Sequence, residues 1–219
     1  MKYIIMCGGI YAQWDKPRPL LEIHGEKIIE RTIRLLKENG VYEIYISSNY
    51  PEFASFAPVF KHDNTFKSNG IEYSDNWVDA FYPMDEPCCY IFGDVVFSPE
   101  AIKTIVETET DDIEFFGSAP PFAPDYIKPW AEPFALKVVN QNHFKEAIKE
   151  TKRLSEEGMF HRKPIMWELW QVITGSLLNF IDCDSYFIIN DYTCDIDNPE
   201  DLAKIEEKMP YETSMEVIG

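Results

Sequence analysis

Basic residues are scarce in this sequence, which has 20 lysines and arginines against 38 aspartates and glutamates. The formal net charge of -18 argues against a nucleic-acid-binding surface, which needs basic side chains to neutralise phosphates. It argues equally against docking on an anionic membrane. Any anionic ligand must therefore be held by local groups against an unfavourable overall field. For most of the acidic residues, solubility alone is a sufficient explanation.

Long apolar runs are also lacking. No stretch approaches the roughly 20 apolar residues of a membrane span, and the first apolar segment is too short for the core of a signal peptide. The five cysteines are odd in number, and the spacing of cysteines and of the four histidines does not resemble a zinc site. These features predict reduced cysteines in the core of a cytoplasmic protein.

The length suits one medium-sized domain, and 45% of the residues are hydrophobic. Apolar strand-like segments alternate with amphipathic helical ones at a spacing of about 30 residues. This alternation predicts a single domain over 1–219 of the α/β class, with a mostly parallel sheet between two layers of helices in a Rossmann-like arrangement. In such sheets, ligands bind beyond the carboxyl ends of the strands.

Apolar periodicity and capping residues locate the individual elements. Strands are expected at 3–7, 42–47, 57–62, 88–92, 113–119, 133–139 and 186–191. Helices are expected at 26–39, from 99 onward, at 142–156, within 163–175 and from 199 onward, with a short helix between about 70 and 82.

Two glycines and then two cations follow the first strand. Gly8 and Gly9 would let backbone N–H groups approach an anionic ligand closely, although a plain turn explains them equally well. Lys16 and Arg18 alternate with prolines, which fix the backbone and present both cations from a stiff, extended segment. A solvated surface turn is the alternative for this pair.

Three aspartates are candidates for metal ligands. Asp94 follows a strongly apolar strand, where a carboxylate is costly unless a cation or hydrogen-bond donors accompany it. Asp195 and Asp197 alternate, and alternate residues of a strand face the same side. Helix capping beside Asn198 is the alternative for Asp197. Acids from two distant segments, a glycine turn and two cations are suited to a magnesium-bound phosphate chain.

The order of these motifs resembles the nucleotidyltransferases of the nucleotide-diphospho-sugar transferase superfamily, which include sugar-phosphate, phosphocholine and molybdopterin nucleotidyltransferases. The matching segments are GG at 8–9, KPRPLLEIHGEKIIERTI at 16–33, GD at 93–94 and DIDNPEDL at 195–202. The resemblance implies a GT-A-like fold. It also implies transfer of a nucleoside monophosphate from a triphosphate to a small phosphorylated acceptor, such as a sugar phosphate, a phosphocholine-like compound or a phosphonate, with release of pyrophosphate.

The resemblance also implies roles for individual residues. Asp94 and Asp197, with Asp195 beside them, would hold Mg²⁺ or Mn²⁺, and Arg18, helped by Lys16, would meet the phosphates. Since this chemistry depends on positioning and charge neutralisation, no side-chain nucleophile is needed. The nucleotide would lie over the segment that contains Cys7, Gly8, Gly9, Tyr11 and Gln13.

The glycine turn departs from the usual G-G-x-G-x-R pattern of these enzymes. Tyr11 replaces the later glycine and Gln13 stands where the arginine is expected, while Arg18 replaces the usual lysine. A non-catalytic nucleotide-binding relative is therefore one alternative. A glycosyltransferase of related fold, with 195–197 as an Asp-x-Asp metal motif, is another, although such motifs usually end a mid-chain strand.

The remaining candidates concern the base and the acceptor. Ser48 and Asn49 end the second strand and could contact the base or ribose, with an Asx-type turn as the alternative. By resemblance Glu132 lies where sugar hydroxyls bind, and Trp130 could stack on a ring or a quaternary amine, with core packing as its alternative. The adjacent cations Arg162 and Lys163 could receive the acceptor's phosphate, or form a solvated loop. The sequence leaves the base, the acceptor and the oligomeric state open.

Overall fold

The structure is a computed structural model that describes residues 1–8, 14–62, 77–118, 131–180 and 182–209. In this part of the chain the strands are β1 (Lys2–Met6), β2 (Glu22–Ile23), β3 (Glu26–Lys27), β4 (Ile44–Ser48), β5 (Val59–Lys61), β6 (Cys88–Phe92), β7 (Val95–Val96), β8 (Ile113–Ser118), β9 (Pro133–Val138), β10 (Phe187–Ile189) and β11 (Cys194–Asp195). The α-helices are α1 (Ile28–Glu38), α2 (Pro99–Glu107), α3 (Gln141–Glu156), α4 (Met166–Thr174) and α5 (Pro199–Lys208). Short 3₁₀ helices occupy Arg18–Leu20, Pro51–Ser55 and Trp77–Ala80.

Seven of these strands form the central sheet, in the order β10-β8-β9-β6-β1-β4-β5. All neighbouring pairs are parallel except the two that involve β9, which runs antiparallel to both β6 and β8. The central strands β1 and β6 are apolar and almost completely buried, as expected for a sheet covered on both sides. The predicted α/β class and mostly parallel sheet are confirmed.

Different helices cover the two faces of the sheet. Tyr90 of β6 projects toward α3, where its ring lies 5.8 Å from that of Phe144 between centroids, and α4 packs against α3. Lys137 of β9 projects from the other face, and its Nζ donates a hydrogen bond to the Thr108 carbonyl just after α2 (2.6 Å). Helix α1 packs against α2 on that side. The result is the predicted three-layer arrangement.

Helix ends follow the capping residues seen in the sequence. Ser98 Oγ accepts a hydrogen bond from the Ala101 amide at the start of α2. Asn198 Oδ1 accepts from the amides of Glu200 and Asp201 at the start of α5. Gly40 has φ +78° just after α1, a conformation that glycine adopts without strain.

The structure differs from the expected elements in three places. Helix α1 begins at Ile28 rather than at 26, because 22–27 form the β2–β3 hairpin. The segment around Arg18 is not fully extended, since Arg18–Leu20 forms a 3₁₀ turn. Of the short helix expected between about 70 and 82, a 3₁₀ helix is present at Trp77–Ala80, and 70–76 lie outside the described residues.

None of the helices in the described ranges has both the length and the apolar character needed to cross a membrane.

Candidate active site

The candidate site lies beyond the carboxyl ends of the parallel strands. Strand β1 delivers Cys7 and Gly8 to this edge, and β6 delivers Asp94. Because β9 runs in the opposite direction, its amino end lies at the same edge and carries Glu132 there. Three distant parts of the sequence therefore reach one edge of the sheet, where ligands bind in this class of fold.

A short antiparallel ladder brings the C-terminal aspartates to Asp94. Strand β7 follows Asp94 directly, and Val95 pairs with Asp195 of β11. The Ile196 amide then donates a hydrogen bond to the Asp94 carbonyl (3.0 Å). These backbone bonds fix the segment 195–197 against Asp94, although about 100 residues separate them in the sequence.

Arg18 joins these segments through its side chain. One guanidinium nitrogen lies 2.6 Å from Asp94 Oδ2, and the other lies 2.8 Å from Asp197 Oδ1 and donates to the Ile196 carbonyl (2.9 Å). The Arg18 and Asp94 side chains are 18% and 25% exposed, so water screens this pair less than an open surface pair. The structure thus places Asp94 and Asp197 together around the cation from the N-terminal segment.

The prolines beside Arg18 hold its backbone in place. Pro17 and Pro19 are buried, and the 3₁₀ turn is closed by hydrogen bonds from the Leu20 amide to the Pro17 carbonyl and from the Leu21 amide to the Arg18 carbonyl, both 2.9 Å. Lys16 precedes the turn and is exposed. The two predicted cations therefore differ, because Arg18 contacts the carboxylates whereas Lys16 extends toward solvent.

Three carboxylates lie close enough to share a metal ion. Single carboxylate oxygens of Glu132, Asp195 and Asp197 lie within 4.8 Å of one another. Asp195 and Asp197 therefore face the same side, as their alternation predicts. Carboxylate oxygens are hard ligands of the kind that Mg²⁺ and Mn²⁺ take, so the donor set fits such an ion. Asp94 is not one of the three, and its carboxylate instead pairs with Arg18.

Hydrogen bonds to the backbone hold two of these acidic residues in place. Backbone bonds from the Glu132 amide to Ser118 Oγ (2.8 Å) and from the Ser118 amide to the Glu132 carbonyl (2.9 Å) fix Glu132 at the end of β8. The Asp197 amide donates to Asp201 Oδ2 (3.1 Å), while Asn198 caps α5. Capping is thus performed by Asn198, and the Asp197 carboxylate faces Arg18.

Two residues expected to bind the nucleotide also make hydrogen bonds within the protein. The Cys7 amide donates to the Ser47 carbonyl (2.9 Å), and the Cys7 carbonyl accepts from Ser48 Oγ (2.7 Å). Burial raises the pKa of the Cys7 thiol well above its usual value, and the Asp94 carboxylate adds to that rise, so this thiol is not a nucleophile at neutral pH.

The second of these residues, Ser48, is 1% exposed, and its Oγ also accepts from the Tyr50 amide (3.1 Å). The Ser48 hydroxyl therefore closes a turn, the alternative considered from the sequence, and its contact with a base or ribose stays a prediction. Asn49 is half-buried at the same strand end.

Gly93, part of the GD pair noted in the sequence, has a packing role that the sequence did not predict. A Cβ at this position would lie 2.6 Å from the Met6 carbonyl and 2.9 Å from Cys7 Sγ. The Gly93 amide donates to that same carbonyl (3.1 Å). Only glycine allows β6 to approach β1 this closely just before Asp94. In the sequence, the only indication of this close packing was a glycine directly before an aspartate at the end of a strand.

The predicted acceptor residues are partly placed. Arg162 donates through Nε to Glu168 Oε1 (2.6 Å), and Glu168 accepts from the Ile165 amide at the start of α4. Arg162 and Lys163 line a cavity of about 570 Å³ between the end of α3 and the start of α4. Four predicted residues lie outside the described ranges: Gly9, Tyr11, Gln13 and Trp130.

No protein-family model matches the sequence. Solved structures do match it over nearly the full chain. An inositol-1-phosphate CTP transferase from T. maritima is 15% identical, with a TM-score of 0.54 and coverage of 95% of this chain and 97% of that chain. A protein from Bacillus anthracis, provisionally assigned as a glucose-1-phosphate thymidylyltransferase and solved with sucrose, is 13% identical, with a TM-score of 0.55 and 97% coverage of both chains.

The chain shares its fold with these transferase structures. HddC from Yersinia pseudotuberculosis, solved with GMP-PN, matches at 15% identity with a TM-score of 0.50, over 94% of this chain and 98% of that chain. The fold that the sequence motifs implied is therefore confirmed. At these identities the likeness concerns the fold, and the chemistry has to be argued from the residues of this chain.

Proposed function

We propose that this protein is a metal-dependent nucleotidyltransferase that transfers a nucleoside monophosphate from a triphosphate to a small phosphorylated acceptor. The observation that carries the proposal is the meeting of Asp94 and Asp197 at Arg18, with Asp195 and Glu132 beside them. One cation and four carboxylates from four distant segments lie at the strand edge where ligands bind in this class of sheet. The shared fold and the transferases among the structural neighbours support the same reaction class.

The side chains suit a displacement at the α-phosphorus. Arg18 would bind phosphate oxygens through its planar pair of N–H donors. A divalent ion held by Asp94, Asp195 and Asp197 would supply charge neutralisation on the phosphates. An acceptor phosphate oxygen forms a bond to the α-phosphorus as the bond to the β-phosphate oxygen breaks, and pyrophosphate leaves with that electron pair. The fixed backbone around these residues provides the positioning on which such a reaction depends.

For the acceptor, we assign Glu132 to hydroxyl groups and the Arg162–Lys163 pair to a phosphate. Glu132 is 9% exposed, and hydrogen bonds with Ser118 fix its backbone at this edge of the sheet. Arg162 and Lys163 line a basic cavity on an otherwise acidic protein. We also propose that Trp130 stacks on a ring or a quaternary amine of the acceptor. Lys16 would contact the phosphates and Asn49 the base.

A pyrophosphate-release screen tests the proposal. Four nucleoside triphosphates are combined with sugar phosphates, phosphocholine and phosphonates in the presence of Mg²⁺, and one combination is expected to release pyrophosphate. Asp94→Asn and Asp197→Asn preserve side-chain size but remove the charge, and each should lower turnover by roughly 100-fold or more because phosphate positioning fails.

Asp85→Asn is the matched control, because Asp85 is exposed and pairs only with Lys145 among the contacts described for it. It should keep wild-type turnover. If Asp94→Asn or Asp197→Asn also keeps wild-type turnover, that residue has no role in the reaction. Tight triphosphate binding without turnover across the whole panel would instead identify a non-catalytic relative.

A further inference from the structure

We propose that Arg18 and a divalent cation are alternative partners of Asp94 and Asp197, so that metal ion and triphosphate bind together and each binds poorly alone. The inference rests on the proposed function for the identity of the two ligands. It concerns how they bind, and it follows from the ion pairs of the ligand-free protein.

The first step is the geometry of the ion pairs. Arg18 contacts an oxygen of Asp94 at 2.6 Å and an oxygen of Asp197 at 2.8 Å. Asp197 also belongs, with Glu132 and Asp195, to the three carboxylates whose oxygens lie within 4.8 Å of one another and suit a divalent ion. The guanidinium and the ion would then lie within a few ångströms of each other, and two cations at that separation repel strongly in a half-buried site. They therefore exclude one another at these oxygens.

The second step is the charge balance around Arg18. Two carboxylates, those of Asp94 and Asp197, pair with the Arg18 guanidinium, and those of Asp195 and Glu132 lie beside the Asp197 carboxylate. The excess negative charge repels a triphosphate, and the whole molecule adds to that repulsion. Without a divalent ion the triphosphate therefore meets an unfavourable field, and without a triphosphate the ion must displace Arg18 from its partners.

The third step is the fate of the displaced arginine. Its backbone is held by buried prolines on either side and by the 3₁₀ turn, so its Cα stays in place while the side-chain torsions change. A triphosphate offers oxygens that replace the two carboxylates as guanidinium partners. When both ligands bind, the carboxylates exchange the guanidinium for the metal ion, and the guanidinium exchanges the carboxylates for phosphate oxygens. Metal ion and triphosphate are therefore positively coupled through Arg18.

Manganese binding measured by electron paramagnetic resonance tests this exchange without any turnover. Arg18→Met removes the competing charge and keeps a side chain of similar length. In the ligand-free protein, it should bind Mn²⁺ about tenfold more tightly than the wild type does, within the usual range of such couplings. A triphosphate analogue with a methylene group between the α- and β-phosphates should tighten Mn²⁺ binding by the wild type by at least about fivefold. In Arg18→Met it should tighten binding much less.

Arg153→Met is the matched control. Arg153 also pairs with two carboxylates, those of Glu150 and Glu157, but it lies half-exposed on α3. This variant changes the net charge equally and should bind Mn²⁺ like the wild type, within about twofold, because surface charges contribute little at a distance. Arg18→Lys, which keeps the charge without the planar fork, should lie between wild type and Arg18→Met, and it serves if the methionine variant does not fold.

The outcomes separate this inference from the proposed function. Mn²⁺ binding by Arg18→Met that is equal to or weaker than wild-type binding would overturn the exchange. Pyrophosphate release by the wild-type protein would then leave the proposed reaction standing. Absence of Mn²⁺ binding in every variant, with and without the analogue, would overturn both. Tighter binding by Arg18→Met with loss of coupling supports the exchange even where no acceptor has been identified.

Discussion

Gly93 links strand packing to the position of Asp94. Because a Cβ there would lie 2.6 Å from the Met6 carbonyl, Gly93→Ala must push β6 away from β1. We expect the free energy of unfolding to fall by roughly 1–3 kcal/mol, the usual cost of overpacking. Asp94 would shift relative to Arg18, so turnover should fall as well. Chemical denaturation followed by circular dichroism measures the first effect, and pyrophosphate release the second.

Gly158→Ala provides the comparison at the same scale. Gly158 follows α3 with φ +70° and has nothing within 4 Å of a built Cβ, so alanine there introduces backbone strain alone. Stability should fall by roughly 1–2 kcal/mol while turnover is retained. If Gly93→Ala behaves like Gly158→Ala in both measurements, the close contact between β6 and β1 has no special role in placing Asp94.

At the scale of elements, hydrogen bonds join the segment before β11 to the start of α2. Asp191 accepts hydrogen bonds from Ser98 Oγ (2.5 Å) and from the Thr193 amide (2.7 Å), and Thr193 Oγ1 accepts from the Ser98 amide (3.0 Å). Arg31, 3% exposed, donates to the Tyr192 hydroxyl (3.2 Å). These bonds position β11, and through it Asp195 and Asp197, against β7.

Asp191→Ala should therefore affect both stability and the site. Loss of two hydrogen bonds to a carboxylate is expected to lower the free energy of unfolding by roughly 1.5–3 kcal/mol. Because β11 would be held less firmly, Mn²⁺ affinity in the presence of a triphosphate analogue should fall too. Asp182→Ala is the control, since the Asp182 carboxylate accepts only the Asp184 amide in an exposed turn, among the bonds described for it. Wild-type Mn²⁺ affinity in Asp191→Ala would show that β11 is positioned by its ladder with β7 alone.

Helices and strands could be predicted from the sequence where a few neighbouring residues determine them. The continuous apolar run of β6 and the Ser98 and Asn198 caps are readable from a few neighbouring residues. The antiparallel direction of β9 could not be predicted, because an apolar strand has the same composition in either direction. The β7–β11 ladder was also missed, since two-residue strands from distant segments carry no periodicity.

At the scale of the whole molecule, the meeting of Asp94, Asp197 and Arg18 was expected from a rule of topology rather than from any local pattern. In a mostly parallel sheet, residues that follow different strands share one edge, whatever their separation in sequence. That rule places Glu132 at the edge as well, but only once β9 is known to be antiparallel. The Ser48 hydroxyl shows the limit of the rule, since reaching the edge does not determine whether a side chain faces a ligand or closes a turn.

The net charge of -18 makes a prediction that belongs to the whole molecule. An acidic protein repels an approaching triphosphate at long range, and added salt screens that repulsion. At saturating Mg²⁺, raising NaCl from about 20 to about 150 mM should increase the association rate of a fluorescent triphosphate by about twofold or more, because the Debye length shortens to about 8 Å. Stopped-flow fluorescence measures this rate. A rate that falls with salt would show that the local field of Arg18 and the neighbouring cations, rather than the overall charge, governs the approach of the nucleotide.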